Sequence, residues 1–216
     1  MSQMLDLPAR QMLNEFGKGI GMPGSGSVAV ISAMSGVQML ISVCKLTIGK
    51  ERYAAVHSEM AEIQKELERV YLPRLEKILY ADAATVKEML RYRILRDKET
   101  EPAKKQEYKQ LAYAQLEKAT DTMIDLCSVC LEIIPMALHA YEIGLKSARG
   151  DSGVVLSNLL SGASSGLYMT LINIKDAKNG SWTIAKRAEV ETFFGRLHEY
   201  QYIFSGRLAA MYNKAW

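Results

Sequence analysis

Few residues of this chain have the type and spacing that chemistry requires, and the first of them lie in a glycine-rich segment, Gly17–Ser27. Within it, Gly19–Gly24 matches the pattern G-x-G-x-x-G, which binds dinucleotides where it joins a strand to a helix. Because an amphipathic helix is predicted before it, we dismiss a dinucleotide site. Two interpretations stay open: free N–H groups at a helix start form the edge of an anion site, or the segment is a tight connector.

Asp151 is a second candidate, because we expect it in a loop, Gly144–Gly153, that opens a buried helix. A carboxylate at this point can cap the helix. The cap donors and the helix dipole would also hold it ionised, which is compatible with a catalytic role. The tripeptide Arg149-Gly150-Asp151 also spells a cell-adhesion motif, which we attribute to chance.

Sulfur and imidazole groups give a weaker signal. Cys127 and Cys130 form a C-x-x-C pair inside an apolar helical run, with no second pair to complete a tetrahedral metal site. We therefore predict buried structural thiols. His57, His139 and His198 are scattered without ligand spacing. The sequence predicts neither a metal nor a cofactor.

Composition predicts a single globular domain over residues 1–216, with 49% hydrophobic and 24% charged residues. The net charge of +3 is small and its charges are interleaved, which argues against nucleic-acid binding. Three cysteines cannot all pair, and no export signal is evident, so we expect a reducing cytoplasm. The apolar stretch Val28–Cys44 has polar interruptions and stops at Lys45, short of ~20 apolar residues, so we expect a buried helix and no membrane span.

The elements that must position these residues are predicted to be helices throughout. We expect an all-α bundle in which long amphipathic helices surround buried apolar ones. Ser27 is the expected cap of the first apolar helix. Pro73 is expected to bend or interrupt one long helix, and Pro135 lies within another. Arg96–Lys105 is expected to connect these two helices. The predicted helices cover residues 6–16, 27–47, 53–95, 103–143, 154–174 and 183–212, with a turn at 175–181. Small residues four apart, such as Gly162 and Gly166, indicate either dense internal packing or a helix-mediated homodimer.

Several segments together resemble the formiminotransferase-cyclodeaminase and methenyltetrahydrofolate cyclohydrolase family. Met22–Ala29 and Leu46–Tyr53 are similar to the family's Pro-Gly-Gly-Gly-Ser and Asn-Leu-Thr-Gly-Lys segments. Asp82-Ala83, Asp151–Val154 and Ile172–Asp176 are similar to its Asp-Ala, Ser-Asp-x-Gly-Val-Ala and Ile-Asn-Leu-x-x-Ile-Lys-Asp segments. The resemblance covers residues 5–176 in order. It implies an all-α oligomer, a homodimer or larger, that acts on one-carbon units between N5 and N10 of tetrahydrofolate.

The resemblance also implies roles for residues. Both family reactions pass through an amidine-like carbon that bears positive charge, and both need a proton shuttle. We expect Asp151 to be the principal acid-base and Asp82 a second carboxylate. The remaining implied residues would bind the substrate: Gly24, Ser25, Gly26 and Ser27 at the loop edge, Lys50 and Arg52 as charged donors, and Asn173.

The chain departs from the family pattern at Ser25, Lys45, Arg149 and Met169, where the family has glycine, asparagine, a small residue and asparagine. The family's Leu-Pro-Lys is also broken, in Leu95–Lys98. Three hypotheses follow. The chain is a methenyltetrahydrofolate cyclohydrolase or formiminotetrahydrofolate cyclodeaminase, or a diverged enzyme with a non-folate substrate, or a non-catalytic helical scaffold.

Overall fold

The chain folds into a bundle of helices. The computed structural model describes residues 4–19, 23–177 and 180–215, and these ranges contain no β-strand. The predicted all-α class is confirmed. The helices are α1 (Ala9–Phe16), α2 (Ser25–Ile48), α3 (His57–Glu66), α4 (Leu72–Lys98), α5 (Pro102–Ile143), α6 (Arg149–Asp176) and α7 (Gly180–Ala215). Short 3-10 helices cover Met4–Asp6, Glu51–Val56 and Lys146–Ala148.

Helices α2 and α6 pack side by side and run in opposite directions. Near the start of α2, a Cβ added at Gly162 would lie 3.0 Å from Ala33 Cβ. Near its end, the Thr47 hydroxyl accepts a bond of 3.0 Å from the N–H of Leu145, which precedes α6. The missing glycine side chain lets the two backbones approach closely. The start of α2 and the end of α6 therefore lie at the same end of the bundle.

Helix α5 covers the other side of α6 with equally close contacts. The sulfur atoms of Cys127 and Cys130 lie 3.0 Å from where a Cβ on Gly166 and on Gly162 would stand. The three helices α2, α5 and α6 supply most of the buried apolar core. The predicted small-residue positions thus serve internal packing on at least one face.

Helices α3 and α4 form one continuous rod with a π-helical turn, Leu67–Tyr71, between them. Pro73 follows this turn as the second residue of α4, and because proline has no N–H, one bond to the preceding turn of the rod is not made. Arg74 fastens the rod to α5 through ion pairs with Asp125 and Glu132. The expected interruption near Pro73 is therefore a change of helical pitch rather than a break.

Several predicted boundaries are wrong. Ser27 does not cap α2: the helix begins at Ser25 behind Gly24, and Ser27 is buried inside it. The connector that follows α4 is shorter than predicted, since α4 runs to Lys98 and α5 begins at Pro102. Helix α6 begins at Arg149, so Asp151 lies in a helical first turn and not in a loop. The dinucleotide-like motif at residues 19–24 and the turn at 175–181 fall partly outside the described residues.

Three segments are long and apolar enough, by length and composition alone, to cross a membrane: Ser25–Ile48, Pro102–Ile143 and Lys146–Asp176. In the bundle only 56%, 61% and 50% of the residues in their apolar windows are buried. The buried part of the first includes Val30, Ala33 and Val37, which have no exposed surface. The rest of these windows is not buried within the single chain.

Candidate active site

A cavity of about 160 Å³ lies where the start of α2 and the end of α6 meet α4 and α5. It combines the glycine-serine turn, one aspartate and one asparagine with an apolar floor. Its lining residues are Gly24, Ser25, Gly26, Ser27, Asp82, Ala83, Val86, Met89, Leu116, Ala119, Met169 and Asn173. The cavity is thus made by segments far apart in the sequence.

Asp82 is the only ionisable residue among those lining residues, and only 2% of its surface is exposed to solvent. Helix α4 carries it against the first turn of α2, directly beside Gly26. A Cβ at Gly26 would lie 2.5 Å from Asp82 Oδ2 and 2.7 Å from Cγ. Such distances are not possible between real atoms, so the close approach of the carboxyl group to α2 depends on glycine at this position.

Burial in apolar surroundings raises the pKa of Asp82 from its ordinary value of 3.8 to about 6. Its Oδ1 atom is buried and accepts no hydrogen bond from a described residue. The hydroxyl of Ser27, also on the cavity wall, is buried and likewise without a partner in the described part of the chain. Unpaired buried polar atoms are uncommon, and their missing partner is typically a water, an ion or a ligand. A carboxyl group with a pKa near neutrality can both accept and donate a proton.

The start of α2 adds backbone donors to the cavity wall. Gly24 takes the cap position with an extended backbone, and no side chain caps the helix. The first N–H groups of a helix have no partner within it, and they lie at the positive end of its dipole. Asn173, one turn beyond Met169 on α6, lines the same cavity with an amide that can both donate and accept.

The structure therefore brings together six predicted site residues, Asp82, Asn173 and the run from Gly24 to Ser27. It separates them from the other three. Asp151 lies in the first turn of α6, roughly 30 Å along that helix from Met169. Lys50 and Arg52 follow the end of α2, roughly 35 Å from Gly26. Within one chain these three residues lie at the opposite end of the bundle, and their roles stay predictions.

Lys50 and Arg52 have local surroundings of their own. Both are exposed, and the guanidinium of Arg52 lies 5.3 Å from the centroid of the Tyr53 ring. The Tyr53 hydroxyl in turn accepts a bond of 3.1 Å from the N–H of Lys146, which ties this end of α2 to the start of α6. Neither cation lines the cavity that holds Asp82.

Sequence reasoning missed the apolar floor of the cavity, which α4 and α5 supply: Ala83, Val86, Met89, Leu116 and Ala119. Helical periodicity marks such residues as inward-facing, but it does not say which cavity they face. The family pattern marks Met169 only as a departure, not as a cavity residue. Ser25 and Met169, two of the four single-residue departures, both line the cavity, whereas Lys45 and Arg149 do not.

A second, more open cavity of about 350 Å³ adjoins the first. It lies along the outer side of α2 and α6, between Val28 and Tyr168, and shares Ser25 and Met169 with the cavity that holds Asp82. A ligand too large for the deep cavity can therefore extend along the surface of these two helices.

The sulfur chemistry expected of a redox or metal site is not found. Cys127 and Cys130 are free and buried, as predicted, and burial raises the pKa of Cys127 to about 12 and that of Cys130 still further. His139 contacts Glu59, with Nε2 2.7 Å from Oε2. Among the described residues, no three His, Cys, Asp or Glu side chains are grouped to hold a metal ion.

Comparison with known proteins shows the family and the fold. A methenyltetrahydrofolate cyclohydrolase from Methylorubrum extorquens is 27% identical over 169 residues, which cover 78% of this chain and 80% of that protein. The crystal structure of formiminotetrahydrofolate cyclodeaminase from Thermotoga maritima superposes with a TM-score of 0.81 at 16% identity, over 96% of this chain and 98% of that one, and shows the same fold. The family model described as formiminotransferase-cyclodeaminase matches residues 8–192. The chain therefore belongs to the formiminotransferase-cyclodeaminase family.

Proposed function

We propose that this protein is a folate one-carbon enzyme, a 5,10-methenyltetrahydrofolate cyclohydrolase, with Asp82 as its acid-base group. The observation that carries the proposal is the buried carboxyl of Asp82, a residue that lines a cavity walled by the glycine-serine turn and whose Oδ1 has no partner among the described residues. The relative from Methylorubrum extorquens supports the choice of cyclohydrolase, because its similarity to this chain extends over most of both sequences.

The chemistry requires one group that takes a proton and gives it back. Water adds through its oxygen to the carbon that bridges N5 and N10, and the Asp82 carboxylate accepts one of its protons. The bond from this carbon to N5 then breaks, its electron pair stays on N5, and Asp82 returns the proton there. The hydroxyl proton of the adduct passes to solvent, and a formyl group remains on N10. A pKa of about 6 suits both transfers near neutral pH.

The two adjoining cavities fit such a substrate in different ways. The deep cavity, at about 160 Å³, is smaller than the ~300–1,000 Å³ of sites that enclose a drug-sized ligand. It accommodates the reacting end of the molecule, while the open cavity beside Tyr168 and Val28 offers apolar surface for a ring. We propose that the substrate spans both, with Ser25 and Met169 at the junction.

The test is the loss of near-ultraviolet absorbance of 5,10-methenyltetrahydrofolate above the buffer rate. Three proteins are compared: the native chain, Asp82→Asn, and Asp97→Asn as a matched control. Asp97 is an exposed aspartate of the same helix, paired with the adjacent Arg96. We expect turnover by the native chain and by Asp97→Asn, and a loss of roughly a hundredfold or more in Asp82→Asn. Full turnover in Asp82→Asn would refute the assignment of Asp82.

The family resemblance implies that Asp151 is the principal acid-base. Because α6 holds Asp151 at the opposite end of its own bundle, it can reach such a cavity only across a subunit boundary. The same assay on Asp151→Asn tests this role. If Asp151 acts on the partner's cavity, a mixture of Asp82→Asn and Asp151→Asn chains regains activity that neither variant has alone. Native activity in Asp151→Asn would remove it from the mechanism.

The second candidate function is that of a diverged enzyme with another substrate, because Ser25 and Met169 change two positions of the cavity wall relative to the family pattern. Turnover of 5-formiminotetrahydrofolate with release of ammonia would instead establish the cyclodeaminase reaction, in which N10 attacks the formimino carbon. Saturable binding of a non-folate heterocycle, with no turnover of either folate, would decide for the diverged enzyme.

We further propose that the protein is a cytoplasmic homodimer whose subunits meet through the outer faces of α2 and α6. Residues seven apart share one face of a helix, and Val28, Ser35 and Ser42 on α2 are all exposed. On α6 the same holds for the series Val154, Ser161, Tyr168. None of the six is charged, which suits a face that a second copy covers. Val28 and Tyr168 also border the open cavity, which in such a dimer would lie between the two subunits.

Light scattering of the purified protein tests the dimer. We expect twice the chain mass for the native protein and for Ala114→Glu, a charge added at an exposed position of α5. Ser161→Glu is expected to give a monomer, because it places a charge in the proposed interface. A native monomer in buffer, or a protein that only detergent releases from membranes, would overturn the proposal.

A further inference from the structure

The end of the bundle opposite the Asp82 cavity holds a separate cavity of about 290 Å³. It lies between the end of α5, the start of α6 and the last turns of α7. Two arginines, Arg149 and Arg207, line it together with an aromatic and aliphatic wall that includes Tyr141, Leu156, Phe204, Leu208 and Met211. Along α6 its lining residues lie roughly 18–30 Å from Met169, so it is not an extension of the proposed active site.

Both arginines are held by the same aromatic ring. The guanidinium carbon of Arg149 lies 5.4 Å from the centroid of the Tyr141 ring, and that of Arg207 lies 4.7 Å from it. Both distances fall within the ~6 Å at which a cation is attracted to a ring face. The two cations are therefore no farther apart than the sum of these distances, and they repel one another.

The positive charge in this cavity is only partly compensated. Arg207 is paired with Glu142, whose side chain is 54% exposed. Arg149 forms no ion pair or hydrogen bond with another described residue, and its Nε is buried without a partner, as is Nε of Arg207. The remaining acid nearby, Asp151, does not line the cavity. Among the described residues the Arg149 guanidinium group is thus left without a counter-ion, in surroundings that are mostly apolar.

From this arrangement we propose that the cavity lined by Arg149 and Arg207 is a binding site for a small organic carboxylate with a single ring. The planar guanidinium group binds a carboxylate through two parallel hydrogen bonds. The wall formed by Phe204, Leu208 and Met211 would hold the apolar body, which an inorganic anion lacks. The volume stands at the lower end of small-molecule sites, roughly 300–1,000 Å³, which limits the ligand to one ring.

The site has room for such a ligand beside the α6 backbone. Gly150 and Gly153 line it, and no atom lies within 4 Å of where a Cβ on either would stand. A larger side chain at Gly153 would therefore enter open space in the cavity without a clash. Gly153→Leu thus fills the site and leaves both arginines in place.

Ligand-observed NMR and calorimetry on the full chain test the proposal, with benzoate as the probe and its neutral isostere benzamide beside it. We expect saturable binding of one benzoate per chain and none of benzamide, at constant ionic strength. Arg149→Gln, Arg207→Gln and Gly153→Leu should each weaken benzoate binding roughly tenfold or more. The matched control is Arg187→Gln, an exposed arginine of α7 outside the cavity, which should bind like the native chain.

Other binding results would contradict the proposal. No saturable benzoate binding, or equal binding by the native chain and all three cavity variants, would overturn the proposal. Inorganic phosphate that binds as tightly as benzoate would overturn the assignment of an organic ligand. Circular dichroism of each variant tests whether it is folded. If an arginine variant does not fold, Gly153→Leu still tests the proposal. The readout is binding, so it does not depend on folate turnover.

Discussion

The buried carboxyl of Asp82 should make the stability of the fold depend on pH in a direction opposite to that of most carboxylates. In the unfolded chain the group ionises near 3.8, whereas in the folded chain its pKa is about 6. The folded state therefore binds the proton more tightly, and stability falls as the pH rises through this interval. The difference between the two pKa values corresponds to about 3 kcal/mol. Because Asp82 is only 2% exposed, solvent screens little of the free-energy cost of ionising it.

Asp82→Asn removes the charge and keeps the shape of the side chain. Relative to the native chain, this variant should gain up to about 3 kcal/mol between about pH 4 and pH 8, with most of the gain below pH 7. Urea unfolding of both proteins at a series of pH values measures the difference, and any constant cost of the buried amide cancels from its slope. Asp97→Asn, on the surface of the same helix, should show no such trend. A difference that stays constant with pH, or that shrinks as the pH rises, would refute the assignment of a desolvated Asp82.

Three further outcomes are expected. Gly26→Ala should lower the free energy of unfolding by roughly 1–3 kcal/mol and lower turnover, because the new Cβ displaces the Asp82 carboxyl. The control is Gly206→Ala, at an exposed position where the new Cβ meets no neighbouring side chain. Equal stability of the two variants in urea would contradict the prediction. Met169→Asn should move the acidic limb of the pH–rate profile to lower pH, because an amide in the cavity stabilises the ionised carboxyl; an unchanged profile would speak against it. Thr47→Val should cost about 1–3 kcal/mol in thermal or urea unfolding, because it leaves a buried N–H unpaired; a loss below 0.5 kcal/mol would show that water replaces the hydroxyl.

Sequence periodicity predicted the helical class and most helix bodies, and it failed mainly at the ends. Glycines at 150 and 153 indicated a loop, yet both belong to α6, because tertiary packing outweighs a weak local preference. Ser27 has the chemistry of a cap, but Gly24 takes that position and leaves the serine buried. Local preferences of about 1 kcal/mol per residue do not decide such boundaries against the packing of a whole helix.

The candidate site was predictable only in part. The resemblance to a family indicated Asp82, Asn173 and the glycine-serine turn, and the fold does bring them into one cavity. It gave Asp151 the larger role, although within a chain this residue lies at the far end of α6. A motif names residue types in order along the chain, but the end of the bundle at which each lies is set by helix length and direction. The apolar floor was unpredictable for the same reason.

The contact between α5 and α6 has a consequence for the thiols it encloses. Since the sulfurs of Cys127 and Cys130 lie against the glycine backbone of α6, any group attached to either one would occupy the volume of that helix. Both can be alkylated or oxidised only while the two helices are apart. The rate at which these thiols are labelled therefore measures how often α5 and α6 separate.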